Sequence, residues 1–186
     1  MNININDIKN GMTIIIDGKL CQIEEFQHVK PGKGSAFMKM KLRNLRTGSI
    51  TEYSFNSTAK VPAAHVDKTK MQFLYANGNL YSFMNMDTYE QVELDKTQIE
   101  NEVKFLKENL EVLISFYEGE MLGIELPEKI DYVITKTEPA VKGNTATNAT
   151  KDAIVETGML VKVPLFIEQG EEIIVSTKDG KYVSRK

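Results

Sequence analysis

The stretch KMQFLYANGNLYSFMNM, Lys70 to Met86, decides how this chain is read. Two apolar runs flank Asn77-Gly78, the strongest short hairpin signal, because both residues tolerate the positive φ that a tight two-residue turn needs. YEQVEL, Tyr89 to Leu94, supplies a third strand. Asp95 with Gln98 three residues on is a capping-box pattern that predicts a helix start. Ile99, Val103, Leu106 and Leu110 then fall on one helical face. EVLISFY and MLGIEL follow, joined by a turn at Gly119. The order β-β-β-α-β-β is that of the five-stranded oligonucleotide-binding barrel, the OB-fold, with its helix between strands three and four.

Outward from this block the pattern stays β-rich. Toward the N-terminus, MTIII ends at Asp17-Gly18, a hairpin dipeptide, and Leu20, Ile23 and Phe26 lie on the return strand. AFMKMKLRN alternates, with Met38, Met40 and Leu42 on one face and Lys39, Lys41 and Arg43 on the other. Arg46-Thr47-Gly48 turns the chain and SITEYSF returns. Strands without helices predict a small β-barrel. Toward the C-terminus, KIDYVITKTE reads as a strand, PAVKGNTATNATKDA as a long polar loop, and GMLVKVPLFI, EEIIVST and KYVSR as further strands, with a turn at Lys178-Asp179-Gly180. A second OB-like barrel is expected there. The domains are set at 1–64, 65–127 and 128–186, and the fold class is mainly β.

Composition narrows the function. In 186 residues the apolar fraction is 41% and the charged fraction 26%, as in a chain with a buried core and a hydrated surface. No run of about 18 apolar residues predicts a membrane span, and no basic-then-apolar start predicts a signal peptide. The single cysteine, Cys21, makes no internal disulfide, which points to a reducing compartment, the cytoplasm. Cys21 lies in an apolar strand and reads as a structural thiol. The two histidines, His28 and His65, are far apart and have no evident carboxylate or cysteine partner, so no metal or other cofactor is expected. The phosphate-loop, dinucleotide and nucleophile-elbow patterns are absent, so the chain reads as non-catalytic.

Charge is unevenly spread. The net charge is −3, but residues 1–64 carry +4, residues 65–126 carry −7, and residues 127–186 are neutral. Between Glu25 and Glu52 there is no carboxylate, while Lys30, Lys33, Lys39, Lys41, Arg43 and Arg46 all fall there. Such a stripe is either the footprint of a polyanion or a solvated sheet face. Within it, HVKPGKGSAF places Lys33 between two glycines. Pro31 restricts its own backbone and that of Lys30. Gly32 and Gly34 are expected to supply positive φ and to remove side chains beside Lys33. The outcome is a narrow tip with one long cationic arm, or else a turn with an incidental lysine.

FQHVKPGKGSAF, KLRNLRTGSI, FLYANGNLYSFMNMDTYEQ, VKVPLFIEQGE and the terminal YVSR resemble the bacterial elongation factor P family over essentially the whole chain. The chain is more distantly similar to the hypusine-bearing initiation factor. The resemblance implies an N-terminal SH3-like (KOW) barrel followed by two OB-fold barrels, and a non-catalytic factor that binds the ribosome between the P and E sites. It implies stimulation of peptide-bond formation at consecutive prolines, with ribosomal RNA, P-site tRNA and the E-site mRNA codon as partners. It maps the family's modified loop-tip residue onto Lys33, in the loop of Lys30, Pro31, Gly32 and Gly34. A modifying enzyme would add a 5-aminopentanol or β-lysyl group, and similarity to low-GC Gram-positive members favours the first. Lys39, Lys41, Arg43 and Arg46 would contact RNA backbone. The family's Gly-Asp-Thr loop reads Gly143-Asn144-Thr145 here, with Ala140 and Asp152 where glycine and proline are common. That change drops a charge and adds a donor. Tyr182 and Arg185 match the family's YVSR as RNA contacts, Tyr182 being equally readable as a core residue. A monomer is expected. The competing readings are a generic OB-fold RNA-binding protein and a paralogue with unmodified Lys33.

Overall fold

The computed structural model describes residues 1–139 and 149–186. Its strands form three sheets. The first joins β1 (Asn2–Asn4), β2 (Thr13–Ile16), β3 (Lys19–Val29), β4 (Phe37–Asn44), β5 (Ile50–Asn56) and β6 (Lys60–Ala64) in the order β1-β6-β2-β3-β4-β5. The second joins β7 (Asp67–Asn77), β8 (Leu80–Asn85), β9 (Gln91–Asp95), β10 (Glu111–Tyr117) and β11 (Glu120–Glu125) in the order β11-β10-β7-β8-β9. The third joins β12 (Lys129–Thr137), β13 (Thr150–Val155), β14 (Leu160–Pro164), β15 (Glu172–Ser176) and β16 (Tyr182–Arg185) in the order β14-β13-β12-β15-β16. By contact the chain forms two compact units, Met1–Lys68 with Ser115–Gly123, and Thr69–Ile114 with Ile124–Lys186.

In the first unit the period-2 pattern is realised on β4. Met38, Met40 and Leu42 are fully buried among Ile5, Ile14, Cys21, Ile23 and Val61, while Lys39 and Lys41 face water. Asp17 (φ 50) and Gly18 (φ 75) form the expected left-handed turn between β2 and β3. Burial raises the Cys21 thiol above its usual range, in keeping with a structural thiol.

In the second unit the hairpin signalled by Asn77-Gly78 is present, shifted by one residue. Asn77 ends β7 opposite Leu80, so the turn residues are Gly78 and Asn79, with Gly78 at φ 61. Glycine at the first central position is what a type II′ turn requires.

The segment after Asp95 departs further from expectation. Its capping box forms: the Asp95 carboxylate accepts from Thr97 N and Gln98 Oε1 accepts from Asp95 N. Those bonds to Thr97 hold the Asp95 carboxyl below its usual range. In place of one continuous helix, however, there are two single 3-10 turns, Lys96–Gln98 and Val103–Phe105. The backbone groups of an α-helix are engaged elsewhere. Thr157 Oγ1 donates to Lys104 O (2.8 Å) and Tyr132 OH donates to Phe105 O (2.6 Å). Asn109 takes a left-handed conformation (φ 69) and gives its N–H to Phe73 O. Ile99, Phe105, Leu106 and Leu110 are buried and Val103 is half-buried, so the apolar residues still face inward. A segment this short has little helical stability of its own. Packing against β12 and the β13–β14 turn decides its shape.

Tyr132 is fully buried, and Lys107 Nζ bonds to Asp131 O and lies over the Tyr132 ring. Desolvation pushes the Tyr132 phenol far above its usual range, so it stays a donor. The third sheet has a strand that the sequence reading does not predict, β13. Thr150–Ala153, expected as loop, belong to β13, and Asp152 pairs with Lys162 at 2.6 Å. The loop residues Ala140, Gly143, Asn144 and Thr145 lie outside the described residues.

Removing the Tyr132 hydroxyl leaves Phe105 O buried without its donor. Tyr132→Phe should destabilise the protein by about 1–3 kcal/mol in urea unfolding, with the ring's packing kept.

Candidate nucleic-acid interface

The loop that holds Lys33 sits on a long two-stranded arm. β3 runs for 11 residues and pairs with β4 from Cys21 opposite Asn44 to Val29 opposite Phe37. The loop between them, 30–36, is closed by the Val29–Phe37 pair and by Ser57 N donating to Ala36 O at 3.2 Å. Lys30 to Ser35 are all exposed. Gly34 takes φ +97, as expected of a glycine here, whereas Gly32 does not take positive φ. Pro31 fixes the entry to the loop, so one left-handed residue is enough to turn it. Neither glycine has a heavy atom within 4 Å of where a Cβ would stand, so the space beside Lys33 is open. Among the described residues, Lys30 and Lys33 have no hydrogen-bond or ion-pair partner.

The cations behind the tip are arranged differently. The strand face carrying Lys39, Lys41 and Arg43 exists, but each cation meets a carboxylate from a neighbouring strand. Lys39 Nζ lies 3.0 Å from Glu52 of β5, and Lys41 Nζ lies 3.0 Å from Glu25 of β3. Arg43 Nε donates to Glu24. Glu25 holds the Lys41 ammonium above its usual range, chiefly through their hydrogen bond. The Arg43 pair depends on a β-bulge. Ile23 pairs with Leu42 and Glu25 with Lys41, so Glu24 is the extra residue. The bulge lets two consecutive carboxylates reach the same face, where an unbroken strand would send them to opposite faces.

Arg46 is engaged as well. Its Nε and Nη2 donate to the two oxygens of Glu120 at 3.0 and 3.1 Å, a bidentate pair within the first unit. The tip of the β10–β11 hairpin, with Glu118 at φ 48 and Gly119 at φ 82, presents Glu120 there. Through this hydrogen bond Glu120 holds the Arg46 guanidinium above its usual range, and Arg46 holds the Glu120 carboxyl below its own.

On the third sheet, Tyr182 is half-buried in β16, opposite Val175. Arg185 is exposed but occupied: it pairs with Glu171 at 3.1 Å, lies 4.6 Å over the Phe166 ring, and donates to Phe166 O. Gly143, Asn144 and Thr145 lie outside the described residues, so no site is built from them. His28 packs edge-on to Phe26 at 6.2 Å. His65, read as lacking a carboxylate partner, lies 2.8 Å from Asp67, and both are exposed. Among the described residues no group of three or more His, Cys, Asp and Glu is placed to hold a metal ion, and no helix is long and apolar enough to cross a membrane.

Sequence reasoning missed Glu24, Glu25 and Glu52. They bound the carboxylate-free stretch in sequence, and antiparallel pairing folds them back over it. The pairing of β3 and β5 with β4 could have located Glu25 and Glu52, whereas the bulge at Glu24 has no signature in the residues.

A six-stranded sheet with a lysine-tipped arm, followed by two five-stranded sheets, is the build of a class of translation factors. Residues 4–61 match the elongation factor P KOW-like domain, residues 66–124 the elongation factor P OB domain, and residues 130–185 the elongation factor P C-terminal domain. The chain belongs to the elongation factor P family. It is also similar to the solved structure of eukaryotic translation initiation factor 5A from Methanococcus jannaschii (27% identity, TM-score 0.51), over 67% of this chain and 95% of that one. An initiation factor eIF-5A family protein from Naegleria fowleri shares the fold (18% identity, TM-score 0.54), over 68% of this chain and 98% of that one.

Two outcomes follow from this geometry. Gly34→Ala, at φ +97, should destabilise the hairpin by about 1 kcal/mol or more, while Gly32→Ala should be near neutral; chemical denaturation of the two variants checks this. The depressed Glu120 carboxyl contributes stability that is present above the ordinary carboxylate range and lost as pH falls through its lowered folded value. Glu120→Gln should therefore flatten the acid limb of a melting-temperature–pH profile.

Proposed function

We propose that this protein binds the ribosome between the P and E sites and stimulates peptide-bond formation at consecutive prolines, with Lys33 steadying the CCA end of the P-site tRNA. The observation that carries the reading is the tip itself: an amine without a partner, flanked by glycines, on a paired two-stranded arm. Family membership supports the translation role.

Proline is a restricted, poorly reactive partner in peptide transfer, and the reaction depends on holding two reacting groups in a near-attack arrangement. A long cation can donate to tRNA phosphates and 2′-hydroxyls and so limit the motion of the CCA end. The protein contributes position and does no chemistry itself. A covalent extension of Lys33, of the 5-aminopentanol or β-lysyl type, would lengthen the arm, and the exposed, uncrowded loop gives a modifying enzyme access. Lys39, Lys41, Arg43 and Arg46 act on RNA only where a phosphate displaces their carboxylate, which makes them secondary to the tip. Tyr182, Arg185 and the Gly143-Asn144-Thr145 loop are assigned to RNA contacts, the last toward the E-site codon. The protein acts as a monomer in the cytoplasm, with no membrane partner.

The test is synthesis of a peptide containing consecutive prolines on purified ribosomes. Lys33→Ala should lower the rate at least about tenfold on that template and leave a proline-free template unchanged. Lys33→Arg, in which proton transfer is blocked, should retain a pH–rate profile parallel to wild type. Equal rates for wild type and Lys33→Ala would overturn the role of the tip. A pH-dependent loss confined to Lys33→Arg would overturn the positioning mechanism.

A further inference from the structure

We infer that Glu24, Glu25 and Glu52 are specificity residues: they mask the cationic face of β4 so that generic RNA is not held there, leaving Lys30 and Lys33 as the unmasked positive charge of the arm. The inference rests on the reading that this arm meets RNA.

Each of the three cations on the β4 face is matched by one carboxylate, from β3 on one side and β5 on the other. The matching is not a by-product of strand alternation, because the Glu24 bulge is what brings the third carboxylate to the face. Nor does folding account for it. The Lys39, Glu52, Lys41 and Glu25 side chains are about half exposed or more, and such pairs contribute little to stability in water. Their effect on a polyanion is larger. Generic RNA binding arises from phosphates displacing counterions from free cations. A carboxylate 3.0 Å from an ammonium already fills that role, and beyond a Debye length of about 10 Å the pair has almost no net field. A phosphate must break the existing hydrogen bond to gain its own. The stripe of six cations in the sequence thus reduces, on this arm, to two unpaired amines at the loop. An RNA that reaches only the strand face is rejected, and one shaped to receive the tip is accepted.

The experiment measures the affinity of the full-length protein for polyuridylic acid, a generic single-stranded RNA, between 50 and 200 mM salt. Glu25→Gln with Glu52→Gln should bind about tenfold tighter than wild type at the low-salt end. The slope of log affinity against log salt should steepen by about 1 to 1.5, the value for two added phosphate contacts on a single strand. Glu90→Gln with Glu93→Gln, the same charge change on exposed residues at β9, should give much less. Adding Lys39→Gln and Lys41→Gln to the first variant should return it to the wild-type line. The inference is overturned by an unchanged slope in the first variant, by an equal gain in the β9 control, or by a gain that survives removal of both lysines. These readouts do not involve Lys33, so they stand apart from the proline-template assay. Failure here leaves the role of the tip intact, and failure there leaves the mask intact.

Discussion

The antiparallel register of β3 against β4 governs what this protein can present. Pairing from Cys21–Asn44 out to Val29–Phe37 extends the arm beyond the buried Met38, Met40 and Leu42 and closes the loop at a fixed point. A slip of one residue would send Lys39 and Lys41 into the core and the two methionines to water. Burial of those methionines therefore sets both the register and the position of Lys33. The bulge at Glu24 is the one break in that register, and it adds a carboxylate to the exposed face as it bends the strand.

A second constraint holds the other unit together. The segment from Lys96 to Leu110 joins β9 to β10 of the second sheet, and its carbonyls at Lys104 and Phe105 are taken by Thr157 and Tyr132 of the third-sheet region. The Lys107–Asp131–Lys186 contacts surround the same place, and Lys186 holds the Asp131 carboxyl below its usual range. These bonds tie the central and C-terminal sheets through side chains at the expense of a helix. The segment is better understood as a connector than as an element of the central barrel alone.

Most of the β-architecture was legible because it rests on period-2 alternation and on turns with specific chemistry. Met38-Met40-Leu42 and Asp17-Gly18 needed nothing beyond the local residues. The Ile99–Leu110 segment misled because its four-three-four spacing is compatible with a helix and also with inward-facing residues in successive 3-10 turns. What separates the two is partners far along the chain, Tyr132 and Thr157, which no local window contains. The loop tip was readable from KPGKG, although only Gly34 takes the expected φ. The stripe of cations was readable but its neutralisation was not, since Glu24, Glu25 and Glu52 meet it only after strands pair. The Gly143-Asn144-Thr145 loop remains an assignment by resemblance.

Taken together, the arm concentrates unpaired positive charge at one exposed point while the strands behind it are internally balanced. On the proposed reading, that arrangement suits a factor that must find one RNA pocket among many RNA surfaces, with Lys33 as the group that enters it. The most direct measurement is a map of this protein bound to a ribosome that holds peptidyl-tRNA with consecutive prolines. The account predicts the Lys33 side chain, or the group it carries, within hydrogen-bonding distance of the CCA end, with the Lys39–Glu52 and Lys41–Glu25 pairs intact. A tip lying in solvent while the β4 lysines grip the RNA backbone would contradict it.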